Sequence, residues 1–222
     1  MKIIRLAGLV VAIASSVCTS MTLAQSASEA SVPTLKEGNR WKYSVVDLWK
    51  KVELRTRELI VAKVTENGYT YTIKLSDKDG TSAARSTREL NSIITNRDVP
   101  DDGVFRFPLS VGKKWKSKHF GTGRDGEGRT NVPTTTECDR EVVSKEVVGV
   151  PAGSFDAYKL EAKCLGKLDY SGARLASHSF RTEFVYWYAS EVGRNVKIES
   201  RYWNVNSIMD AQILEELVEY KH

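Results

Sequence analysis

Three histidines, three cysteines and a short run of lysines are the residues of this 222-residue chain whose types could do chemistry. His119 lies among lysines on a predicted strand, and His178 lies between serines. Either imidazole could act as a general base, which requires a second polar group within hydrogen-bond reach. Neither these two nor His222 stands at ligand spacing from a cysteine or another histidine, so no metal set is expected. Gly-x-Ser-x-Gly, His-Glu-x-x-His and a phosphate-cradling loop are all missing from the sequence. Gly121-Thr122-Gly123 lacks a strand-to-helix context and reads as loop. The adjacent acids Asp101/Asp102 and Glu215/Glu216 read as solvated charge. The sequence therefore offers no catalytic residue, no metal ligand and no cofactor site, and enzyme activity is not the expected role.

Two other groups carry chemistry of a different kind. Cys138 and Cys164 form an even pair once an N-terminal leader is removed, and in an oxidising compartment such a pair reads as one disulfide. Lys113, Lys114, Lys116 and Lys118, with Arg124 beyond them, could contact a polyanion or an anionic lipid surface. The competing reading is a strand with lysines on its solvent face, which discourages edge-to-edge association. Lys114, Lys116 and Lys118 alternate with Trp115, Ser117 and His119, as that second reading requires.

The first 24 residues have the form of a secretory signal. Lys2 and Arg5 precede the apolar run Leu6 to Val17, and Thr22-Leu23-Ala24 suits cleavage. The apolar run is shorter than the roughly 20 residues of a membrane-spanning helix. Cys18 would be the site of lipid attachment in a lipoprotein signal, but Ser15-Ser16-Val17 departs from that pattern, so a soluble periplasmic or secreted protein is the expectation. Residues 25–34 read as a flexible lead-in, and residues 35–222 as one β-rich domain. Lys2 and Arg5 leave with the leader, so the 33 basic residues fall to 31 against 28 acidic ones. That small excess, in an exported protein, argues against nucleic acid.

The positioning elements are strands. Trp41, Tyr43, Val45, Asp47 and Trp49 alternate along 41–49, with aromatic and β-branched residues suited to a half-buried sheet. Leu59–Glu66 and Tyr69–Ser76 flank Asn67-Gly68, which predicts a type I′ hairpin placing Val64 opposite Tyr71, Ala62 opposite Ile73 and Ile60 opposite Leu75. A weak strand is expected at 88–95. Residues 107–116 repeat 35–42 at a spacing of 74: Leu35/Leu109, Gly38/Gly112, Arg40/Lys114, Trp41/Trp115 and Lys42/Lys116 match, with a shorter echo at 193–197. This is read as recurring strand-opening chemistry. The glycine-rich stretch 121–130 is the expected mobile loop. A long hairpin spans 138–166 about Pro151-Ala152-Gly153. With an odd-numbered turn its even residues, Val142, Val148, Val150, Tyr158, Leu160 and Ala162, share a face, and one register sets Cys138 directly against Cys164. A polar turn covers 166–177. Strands follow at 180–188, with Phe180, Phe184, Tyr186 and Tyr188 on one face, and at 196–203. For 210–220 periodicity allows a closing strand or a short C-terminal helix, and the strand is the preferred reading. The fold class is thus mainly β: one domain, a curved antiparallel sheet or unclosed β-barrel.

The pieces Val150-Pro151-Ala152-Gly153-Ser154-Phe155-Asp156-Ala157-Tyr158, 107–115 and Tyr186-Trp187-Tyr188-Ala189-Ser190-Glu191-Val192-Gly193-Arg194 resemble a family of uncharacterised exported bacterial β-rich proteins. That family is similar in outline to the LolA/LolB-like carriers, whose fold is an unclosed antiparallel barrel around an apolar cavity. The resemblance implies a fold rather than an activity, and it brings no catalytic residues. The functional expectation is non-enzymatic binding of a lipid or other apolar or amphipathic ligand within a curved sheet. The alternatives are an interaction module for another envelope protein, through an exposed sheet edge, and a hydrolase with an unrecognised site.

Overall fold

The computed structural model describes residues 29–93, 101–123, 132–168 and 179–222. The predicted leader with Cys18, Arg124 and most of the loop it opens, His178 and most of the polar turn at 166–177 lie outside those residues. The described chain forms ten strands: β1 Arg40–Asp47, β2 Val52–Thr65, β3 Gly68–Leu75, β4 Ser82–Thr87, β5 Lys114–Gly123, β6 Val132–Val150, β7 Gly153–Leu168, β8 Ser179–Ala189, β9 Arg194–Trp203 and β10 Met209–Lys221. They make one antiparallel sheet in the order β4-β3-β2-β1-β10-β9-β8-β7-β6-β5. It does not close, and no helix occurs among the described residues. Residues 210–220 are therefore strand, paired with both β1 and β9.

One face of this sheet is buried and concave. Arg194 on β9 lies 5.2 Å from the ring of Trp41 on β1 and 4.9 Å from that of Tyr71 on β3. Three strands separate β9 from β3, so only strong curvature brings them together. The Trp41 indole donates to the Val192 carbonyl at 3.0 Å, and the Tyr43 hydroxyl donates to that of Asn195 at 2.9 Å. Trp41, Tyr43, Val45 and Asp47 all face inward on β1, as the alternation requires, whereas Trp49 sits in the following turn and is exposed.

Non-strand segments pack into the concavity. Leu35, Leu90, Phe105 and Leu109 join the core of strand residues. Phe105 packs 5.7 Å from Tyr188, and Phe107 packs 5.2 Å from the same ring. The buried Asn91 side chain clamps the backbone of Phe105 from both sides, donating to its carbonyl at 2.9 Å and accepting from its amide at 2.6 Å. Ala30 pairs with Leu109 through two backbone bonds, so the lead-in expected over 25–34 is docked from Ala30 onward. No alternation marks this plug, because it follows the shape of the cavity rather than a pleat.

The repeated strand-opening motif has one geometry. Gly38 and Gly112 have φ of 86° and 88°, a left-handed conformation open to glycine without steric cost. Gly38 donates to Val61 and Val61 to Asn39; Gly112 donates to Val142 and Val142 to Lys113. Asn39 closes on Lys36 as Lys113 closes on Ser110. In both copies a register shift follows the valine, at Val61/Lys63 and at Val142/Ser144.

Those two bulges decide the registers. In the first hairpin Val64 pairs with Tyr69, Val61 with Tyr71 and Leu59 with Ile73. The predicted Asn-Gly pairing is thus corrected: the turn is Glu66-Asn67, Gly68 begins β3, and Ala62 is exposed at the bulge. A Cβ on Gly68 would lie 1.9 Å from the Ser86 carbonyl oxygen, so its glycine serves close approach of β4 rather than the predicted turn. The strand beside β3 is β4 at 82–87; of the strand expected at 88–95 only 88–93 are described, where Ser92 bridges back to Ser86 and the Ile93 amide donates to the Arg85 carbonyl at 2.9 Å. In the second hairpin the turn is the even-numbered Pro151-Ala152, and the bulge past Val142 sets Cys138 opposite Cys164.

Candidate functional site

Rows of inward side chains cross the concavity from β5 towards β10, and the plug loop lies against their β5 end. Small and polar residues dominate one flank, because β6 and β7 present alternate positions inward. Trp115, Arg140, Ala162, Phe184, Ser200 and Ile213 form one row across β5 to β10. Next comes the row Ser117, Cys138, Cys164, Thr182 and Tyr202, then His119, Thr136, Gly166 and Phe180. The Phe180 ring lies directly over Gly166, where a Cβ would come within 2.0 Å of it. Gly166 is therefore part of β7, not of the predicted polar turn.

The cysteine sulfurs are bonded, with Cα atoms 4.1 Å apart. Beside them lies Arg140, a buried base with 3% exposure. Its Nε donates to Ser117 Oγ at 2.9 Å, and its Nη1 has no hydrogen-bond partner. Asp102 lies nearby on the plug, where its Oδ1 accepts the amides of Ser92 at 3.1 Å and Val104 at 3.3 Å. The Trp115 indole holds that loop by donating to the Gly103 carbonyl at 3.0 Å. Burial pushes the Asp102 carboxyl above its ordinary value, against the two amides and Arg140. Burial likewise lowers His119, assisted by the Arg140 charge and opposed by Asp102. The Tyr186 hydroxyl is raised, first by burial, with Arg140 pulling the other way. Ser117 is engaged by Arg140, and His119 Nδ1 bonds to nothing. The cluster thus presents a fixed cation rather than a nucleophile joined to a base.

An aromatic wall adjoins this cation. Phe184 stacks on Tyr186 at 5.6 Å and meets Tyr202 edge-on at 6.0 Å. Tyr202 is 38% exposed. On the opposite flank Arg57 pairs with Glu215 and lies 5.3 Å from the Tyr43 ring.

The predicted lysines lie elsewhere. Lys114, Lys116 and Lys118 point from β5 to the outer face, each meeting a carboxylate across the strand pair: Glu141 at 3.2 Å, Asp139 at 2.9 Å and Glu137 at 3.2 Å. Lys113 donates to the carbonyls of Arg106 and Pro108 at 2.6 and 2.8 Å. His222 contacts the Glu191 carbonyl at the plugged end, and of the histidines described His119 alone belongs to the cluster. Sequence reasoning passed over Arg140 and read Asp102 only as half of an acid pair. A signal was present: Arg140 stands between Cys138 and Val142, two positions expected to face inward, and a base at an inward strand position is a buried charge.

Residues 112–214, just under half of the chain, match the family model described as DUF3108-like. No curated protein matches the sequence. Among solved structures, a Parabacteroides distasonis protein described as a lipoprotein is similar at 16% identity and a TM-score of 0.50, over 86% of this chain and 99% of that one. A Bacteroides fragilis protein described as exported, with a YmcC-like fold, gives 16% identity and 0.45 over 87% and 100%. The Escherichia coli protein YmcC, described as a hypothetical lipoprotein, gives 7% and 0.38 over 85% and 86%. The first of these likenesses is one of fold.

Proposed function

We propose that this is an exported cell-envelope protein that holds an apolar or amphipathic ligand against its concave face. The observation that carries the reading is the aromatic wall: Phe184, Tyr186 and Tyr202 adjoin on the inner face, with Tyr186 buried against Phe105 of the plug and Tyr202 still 38% exposed at its edge. Aromatic side chains contribute most when their faces are removed from water, and a ligand lying on them would supply that burial. Export is supported by the basic, apolar and small-residue pattern of residues 1–24 and by the descriptions of the fold relatives as exported or lipoprotein. A disulfide also suits an oxidising compartment. The test is to denature and refold the purified protein without lipid, then add 1-anilinonaphthalene-8-sulfonate and an envelope lipid extract. The extract is expected to raise Tm and displace the dye, and a Phe184→Ala, Tyr202→Ala variant is expected to weaken both by about tenfold or more. No Tm shift and no dye displacement would sink the proposal.

The envelope interaction module stands as a second reading, and a specific observation favours it. The outer backbone of β5 has no strand beside it among the described residues, whereas β4 is bridged by Ser92. An added strand could pair there.

A further inference from the structure

Resting on that reading, we infer that Arg140 is the headgroup site: the ligand of the concave face carries an acid, a phosphate or carboxylate, that the Arg140 guanidinium binds. Three observations support this. Arg140 is buried and has no ion pair among the described residues. A charge removed from water and left unpaired is costly, and buried charges are ordinarily compensated by a partner. Its Nε is oriented by Ser117, which leaves Nη1 without a partner. A guanidinium fixed through Nε, with a buried Nη1 that bonds to nothing, has donors left for the two-oxygen edge of a phosphate or carboxylate.

The surroundings fit one end of an amphiphile. Ala162 stands directly between Arg140 and Phe184 in the row, and its short side chain leaves no obstacle between the cation and the aromatic wall. An acid group at Arg140 would therefore run its apolar part across Phe184 towards Tyr202. Asp102 is the acid nearest in influence, but its Oδ1 is committed to two backbone amides, and it forms no ion pair with Arg140.

The test uses four probes on the delipidated full-length protein: dodecyl phosphate, dodecanoate, the uncharged dodecyl glucoside, and inorganic phosphate alone. The two anionic amphiphiles are expected to bind about 10- to 100-fold more tightly than the glucoside. Arg140→Gln is expected to erase that preference while leaving glucoside binding in place, and Arg140→Lys to restore part of it, since a point charge remains but the fork is lost. The lysine variant also keeps the test decisive if the glutamine variant fails to fold. Equal binding of charged and uncharged amphiphiles overturns the inference and leaves the broader reading standing. Binding of inorganic phosphate that depends on Arg140, with no binding of any amphiphile, keeps the anion site and removes the lipid-like ligand. Failure of all four probes removes both.

Discussion

At residue scale, His119 and Asp102 give the concave face an opposing pair of titrations. His119 is held below its ordinary value of 6.5, mainly by burial. The unfolded chain therefore takes up that proton before the folded one does. His119 contributes stability that is present above about pH 6.5 and is lost as the pH falls towards the lowered folded value. Asp102 is raised from 3.8, again by burial, so its contribution is present at low pH and is lost as the pH rises through the folded value. Between pH 7.5 and 5.5 the histidine should dominate. The melting temperature of the native protein is expected to fall across that interval, and His119→Gln to fall less. Parallel curves for the two proteins would show that His119 does not titrate in the cluster.

At the scale of elements, the long hairpin of β6 and β7 is the part whose sequence was most informative. Alternation alone put Val142, Leu160 and Ala162 on one face with the cysteines at the far end, and the structure buries all of them. Replacing both cysteines by serine is expected to lower the unfolding free energy by about 3 kcal/mol, because the bond closes a loop of about 25 residues in the unfolded chain; an unchanged urea midpoint would refute it. The bulges were not legible in the same way. One inserted residue at Ala62 reverses the inward and outward positions, yet it adds no residue type that a two-residue period would notice. Asn67-Gly68 looked like a turn because both residues tolerate positive φ, while the actual demand on Gly68 comes from Ser86 on β4, a neighbour that local sequence cannot reveal.

At the scale of the molecule, the plug packs into the concavity and abuts the candidate site through Gly103 and Phe105. Leu109 is fully buried at its centre and is tied by its backbone to Ala30. Leu109→Ala is expected to cost about 2–5 kcal/mol, measured by chemical denaturation; a cost below about 1 kcal/mol would mean the plug is loosely packed. The mainly β class could be read from the aromatic and β-branched alternation, and the glycine-led openings of β1 and β5 from their repeat. The plug could not, since Gly103, Phe105 and Leu109 are buried by the curvature of a sheet they do not belong to. The shared face of Phe184 and Tyr186 and the inward position of Arg140 were legible from alternation, but their meeting with Tyr202 and with the plug's Asp102 was not, because it depends on how distant segments pack.

Every neighbour in the sheet is also a neighbour in sequence, with one exception: β1 pairs with β10. The four strands from β4 to β1 and the six from β10 to β5 can each zip through local turns. Their junction cannot form until the last strand has been delivered. A chain that crosses a membrane amino end first would hold the unpaired edge of β1, with Trp41 and Tyr43 on it, open for nearly the whole of its passage. The order of assembly is thus written into the topology. This protein becomes one sheet at the final step, and before that it is two, with an adhesive margin that something in the compartment must keep apart from other chains.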